Sequence, residues 1–139
     1  MAEYLLARAG GRDRKPPTRD LSIVLMDDVG MAAINDSLLG HEGPTDVITA
    51  RYRPIPGETE AGDIGELYVN VDRAVDEAEA TGRWSPSREL ALYIAHGCDH
   101  LAGEDDASPA QQKRMRRREL KWLQEAEAAG FSFEGLIGQ

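Results

Sequence analysis

Two Ser-Pro pairs, Ser85-Pro86 and Ser108-Pro109, constrain the last third of this chain to a pair of helices. In each pair the serine oxygen caps the first turn, and the proline fills the first helical position, where no backbone N–H is needed. Gln111 stands three residues after Ser108, the spacing of a capping box. The signals predict one helix from Ser85 to about Leu101, stopped at Gly103, and a second from Ser108 to about Ala129, with Gly130 just past its end. Leu90, Ile94, Cys98 and Leu101 form an apolar stripe along the first helix.

Upstream, strand and helix patterns mix without strict alternation. Leu21–Met26 is rich in branched apolar residues and reads as a buried strand. Met31–Leu39 has helical character and stops at Gly40. Val47–Tyr52 reads as a second strand, and Glu66–Val71, largely alternating, as a half-buried third. Residues 54–63 hold Pro54, Pro56, Gly57 and Gly62 and form a loop. Asp72–Thr81 is an alanine- and glutamate-rich helix closed by Gly82. These elements predict an α+β domain, a small mixed β-sheet packed with helices. At 139 residues the chain fits one domain over 1–139, with 1–20 as a helical remnant or mobile arm.

The formal net charge of −9, from 16 basic and 25 acidic residues, disfavours a protein that coats nucleic acid indiscriminately. Two local clusters run against that total: Arg8, Arg12, Arg14, Lys15 and Arg19, and Lys113, Arg114, Arg116, Arg117, Arg118 and Lys121. Positions 114, 117, 118 and 121 share one helical face. No apolar run approaches the ~20 residues of a membrane span, and the first residues lack the order of a signal peptide. A cytoplasmic protein with no membrane partner is therefore expected. The single cysteine, Cys98, cannot form an internal disulfide, and its place on the apolar stripe reads as a buried, inert thiol. Trp84 and Trp122 read as core or helix-packing residues, and His41 as an exposed loop residue.

The chemistry concentrates at His96-Gly97-Cys98-Asp99-His100, followed by Glu104, Asp105 and Asp106. Histidines four apart on a helix lie one turn apart on one face, so both rings reach one ion. Gly103 lets the chain turn back, and Asp106 then supplies a third ligand. Two imidazoles and a carboxylate with an open position form a catalytic zinc arrangement, in which the bound water becomes acidic. The zincin protease motif needs Glu right after the first His; Gly97 stands there and argues against that class. The same donor set also suits non-haem iron. For a general base the candidates are Glu104, Asp105 and Asp99.

At these residues the chain resembles the YbeY endoribonucleases, or rRNA maturation factors. Their run His-Gly-x-Leu-His-Leu-x-Gly-Tyr-Asp-His is matched in register by His96, Gly97, His100, Leu101, Gly103 and Asp105. A family Leu-Asn, then Pro-Thr-Asp-Val-Leu-Ser-Phe, is similar to Ile34-Asn35 and Pro44–Ala50, and Gly-Asp-Ile to Gly65-Glu66-Leu67. The third metal histidine of the family falls on Asp106. Asp99 replaces a leucine and makes the site more negative. Leu39 stands where the family has an arginine thought to serve RNA. Only about twenty residues precede the Leu21–Met26 strand, so one strand of the family sheet is expected to be missing.

The resemblance implies a single-strand-specific endoribonuclease with one Zn²⁺ per chain, held by His96, His100 and Asp106 between the Ser85–Leu101 helix and the next loop. It implies rRNA as substrate, a role in rRNA processing and ribosome maturation, and partners in the ribosomal small subunit or among assembly proteins. Arg114, Arg117, Arg118 and Lys121 are the expected RNA-binding residues. Two other readings are a metal hydrolase of an amide or small phosphoester, marked by a closed pocket, and a non-enzymatic ribosome-assembly factor, marked by a fourth protein ligand on a structural metal.

Overall fold

In a computed structural model the described residues are 2–9, 18, 20–40, 43, 45–52, 63–103 and 108–137. Five α-helices and three strands follow in the order α1 (Ala2–Ala9), β1 (Asp20–Met26), α2 (Asp28–Ile34), β2 (Val47–Tyr52), β3 (Ile64–Asn70), α3 (Val71–Thr81), α4 (Pro86–Leu101) and α5 (Pro109–Ala128). A π-helical turn, Asn35–Leu39, continues α2 and ends at Gly40, whose φ of 67° a glycine adopts without strain. The mixed α+β class read from the sequence is present. Among the described residues no helix is long and apolar enough to cross a membrane.

The sheet order is β1-β3-β2, with β1 parallel and β2 antiparallel to β3. This corrects the reading of Leu21–Met26 as a buried strand. β1 lies at the edge, with Val24 and Leu25 exposed, whereas β3 is central and buries Gly65, Leu67 and Val69 on one face. The apolar run in β1 carries no information about which strand pairs on both sides. That depends on the crossover through α2.

α4 packs against β2 and β3 and also against α1, α3 and α5. It is enclosed on nearly every side, rather than along one stripe: Leu90, Ile94, Cys98 and Leu101 are buried, and so are Ser87, Glu89 and Asp99. Gly97 permits the close approach to the sheet. A Cβ there would come within 2.7 Å of Leu67 Cδ2 and 3.3 Å of Val47 Cγ2. Both Ser-Pro starts cap as their sequence predicts: Ser85 accepts from Arg88 N–H, and Ser108 and Gln111 form a full capping box. α1 buries Leu5 and Leu6 in the core shared with α4 and α5. Trp122 lies in that core, while Trp84 is half-buried, with the guanidinium groups of Arg83 and Arg88 each over its ring.

Candidate metal centre

The last two turns of α4 carry His96 and His100. Their rings meet edge to face, with centroids 4.4 Å apart. The two Nε2 atoms face one another at 3.0 Å. Two zinc–nitrogen bonds at a tetrahedral angle set their nitrogens about 3.3 Å apart, so this pair fits one cation after a shift of a few tenths of an ångström. Behind His96, the Glu119 carboxylate of α5 accepts the Nδ1–H at 2.8 and 3.0 Å. That bond fixes the tautomer and leaves Nε2 with a lone pair to offer, the arrangement of a metal-ligating histidine backed by a carboxylate. Glu119 is only 2% exposed. No sequence signal marks this role, because Glu119 sits in a run of charges that reads as a solvated face.

The end of α4 is held in place from the sheet. Arg51 of β2 donates to the Leu101 carbonyl, and Gly103, at a φ of 96°, turns the chain away. Among the described residues no third His, Cys, Asp or Glu joins the histidine pair. Asp106, the expected third ligand, lies outside the described residues, as do Glu104, Asp105 and His41.

Asp99 changes meaning in three dimensions. It is 1% exposed, and both its oxygens accept from Arg118 Nη2 at 2.9 Å. Burial pushes this carboxyl up from its ordinary value and the nearby Glu119 adds to the effect, while Arg118 opposes it. The guanidinium partly offsets the more negative field expected from Asp99 replacing leucine, while the net push on the carboxyl stays upward. Held in this way, it is not placed to serve as a general base.

Arg118 is likewise drawn out of the expected RNA-binding set. Arg114 and Arg117 are exposed, and Lys121 is exposed with its Nζ 4.0 Å from Glu125. Lys113, Arg116 and Arg117 instead border a shallow trough along α5, together with Gln112 and Leu120. Of the N-terminal basic cluster, Arg8 pairs with Glu125 at 3.1 Å, and Arg12, Arg14, Lys15 and Arg19 lie outside the described residues. Leu39 is 49% exposed on the π-helical turn.

Cys98 is fully buried in the core, and desolvation, helped by Asp99 and Glu119, pushes its thiol up to about 12. The native protein should therefore resist alkylation at pH 8.5 and react quickly in denaturant, where the cysteine regains its ordinary value of about 8.5. Thiol counting against time checks this. Equal rates in the two states would contradict the buried position.

The family model described as Endoribonuclease YbeY matches residues 2–127. The chain is 38% identical over 107 residues to Endoribonuclease YbeY of Salinibacter ruber, covering 74% of this chain and 68% of that protein. To the protein of that name from Rhodopirellula baltica it is 38% identical over 101 residues, covering 72% and 50%. To that from a Roseiflexus species it is 35% identical over 124 residues, covering 83% and 73%. The chain spans from half to about seven-tenths of these relatives' own length. A solution structure from Thermotoga maritima, TM1509, is similar with a TM-score of 0.47 and 23% identity, covering 84% and 78% of the two chains.

Proposed function

This chain belongs to the endoribonuclease YbeY family, and from that premise we infer that it is a metal-dependent hydrolase that cuts RNA internally. In this reading the metal is zinc, one per chain, and the ligands are His96, His100 and Asp106. The substrate is single-stranded ribosomal RNA, and the cutting serves rRNA processing and ribosome maturation in the cytoplasm. The observation that supports it best is the convergence of two imidazole Nε2 atoms at 3.0 Å, with a buried carboxylate behind one of them.

His96 and His100, with Asp106, would hold a divalent cation, which when bound would supply Lewis-acid chemistry at a phosphoryl oxygen and a more acidic water. The chain's own residues position the rest. Glu119 keeps the Nδ1 proton of His96 and orients its ring. The Asp99–Arg118 pair fastens α4 to α5 one residue before the second ligand. Lys113, Arg116 and Arg117 set positive charge along α5 for the phosphate backbone, against an acidic remainder.

The zinc-loaded protein should cut a single-stranded oligoribonucleotide at internal positions and spare the matching duplex. Chelation should stop the reaction, and zinc should restore it. If no single-stranded RNA is cut with zinc present, the reading fails. Binding gives an independent check. A combined Lys113→Glu, Arg114→Glu, Arg117→Glu variant should keep its fold and zinc yet bind single-stranded RNA more weakly. Each phosphate that the variant no longer neutralises should flatten the slope of log affinity against log salt by about 0.7. An unchanged slope would move the binding surface away from α5.

A further inference from the structure

A cavity of about 340 Å³ borders the metal centre, lined by residues of α3, α4 and α5 and by Asp46, in the turn before β2. Its walls carry both signs of charge. Arg73 and Glu77 come from α3, Tyr93 and His96 from α4, and Arg116 from α5. Three of its four carboxylates already have donors: Glu89 accepts from Trp84 Nε1–H, Glu119 from His96, and Asp46 from Val47 N–H at 2.7 Å. Among the described residues Glu77, Arg73 and Arg116 make no side-chain hydrogen bond or ion pair. Two guanidinium groups and one carboxylate thus line a polar space beside His96 with their hydrogen-bonding capacity unspent.

Neighbouring loops support the arrangement. Asn70, fully buried at the start of α3, donates to the Asp28 carboxylate at 2.7 Å and to the Thr45 carbonyl at 3.1 Å. Its backbone N–H donates to the Asp46 carbonyl at 2.9 Å. Asn35 holds the Gly43 carbonyl at 2.8 Å. The turn that brings Asp46 to the cavity is therefore tied down from two sides.

We propose that this cavity is a guanine-selective subsite, seating one base of the RNA beside the metal centre. Glu77 accepts from the base N1–H and 2-amino group, and Arg73 and Arg116 donate to O6, N7 or the adjoining phosphate. This rests on the RNA-cutting reading above. A carboxylate only accepts, so it selects a base edge that only donates. Guanine alone among the RNA bases has two adjacent donors on its Watson–Crick edge. Adenine and cytosine set a ring acceptor beside the amino group, and uracil flanks its N–H with carbonyls, so each turns a lone pair toward Glu77. The acceptor edge of guanine, O6 and N7, is the usual target of a guanidinium. Single-stranded RNA can splay a base out for such reading, whereas a duplex cannot. A cavity of about 340 Å³ sits at the small end of the ligand-site range, about 300–1,000 Å³, as suits one nucleotide. Gln112 and Arg116 border both this cavity and the basic trough on α5, which gives the strand a continuous path.

Titration of the full-length protein with 5′-GMP, 5′-IMP and 5′-AMP, followed by NMR or calorimetry, tests the subsite without reference to cleavage. GMP should bind about tenfold more tightly than IMP, which lacks only the 2-amino group, and AMP more weakly still. Glu77→Ala, which removes the acceptor altogether, should bring GMP and IMP to equal affinity. In an oligouridine strand with one guanosine, the wild type should cut at a fixed offset from that guanosine, and Glu77→Ala should lose the bias. Equal affinities of the wild type for the three nucleotides, or a preference that survives Glu77→Ala, would overturn the subsite even if mixed-sequence RNA is still cut. Retained GMP selectivity with no cutting of any RNA would instead overturn the RNA-cutting reading on which the subsite rests.

Discussion

Replacing His96 or His100 with alanine should reduce zinc content from about one per chain to background and abolish RNA cleavage. Each histidine provides half of a ligand pair whose two Nε2 atoms stand 3.0 Å apart. A lone imidazole has no chelate partner on α4 with which to hold the ion. Thermal unfolding should show the same loss. Zinc at 100 times its dissociation constant stabilises a folded state by about 2.7 kcal/mol, and that zinc-dependent rise in Tm should vanish in either variant. Glu119→Gln should fall between, with zinc affinity down about tenfold to a hundredfold, because the amide still accepts the Nδ1–H but without the charge. Asp106→Ala tests the third ligand separately. Full zinc occupancy in a His96→Ala, His100→Ala double variant would remove the metal centre from α4.

The second large effect concerns stability rather than chemistry. Arg118→Ala should destabilise the fold by about 3 kcal/mol, as it leaves the buried Asp99 carboxylate without its counter-charge. That figure is the lower end for a broken buried pair, because the guanidinium side chain is still 35% exposed and the Asp99 carboxyl, already pushed upward by burial and Glu119, can take up a proton once Arg118 is gone. Asp99→Leu with Arg118→Leu should recover most of the loss, since two leucines in contact need no counter-charge. Urea denaturation of the wild type and the two variants settles it through the midpoints. A double variant as unstable as Arg118→Ala would show that packing volume, not charge, is what the pair contributes.

The parts legible in the sequence were those governed by near neighbours. Ser85-Pro86, Ser108-Pro109 and Gln111 determine helix starts because a cap involves only the next three residues. The His96–His100 spacing brings two rings together on any regular helix. Partners across helices were not legible. Glu119 lies 23 residues from His96 and Arg118 19 from Asp99, so neither pairing exists until α5 crosses α4. Read alone, Arg118 and Glu119 are two more charges on a highly charged helix. The edge position of β1 was hidden for a similar reason: Leu21–Met26 is as apolar as a central strand, and only its one-sided pairing with β3 exposes it.

The enclosure of α4 also bears on how this protein can change over generations. A helix buried on nearly every side has almost no position where a substitution alters the site without altering the core. Gly97 illustrates the restriction, since even one added methyl group meets Leu67. Selection for a new preference among substrates would therefore be channelled to the outer walls, α3 and α5. There residues such as Arg73, Glu77 and Arg116 can be exchanged at small cost in stability, while the keel that bears the histidines stays fixed.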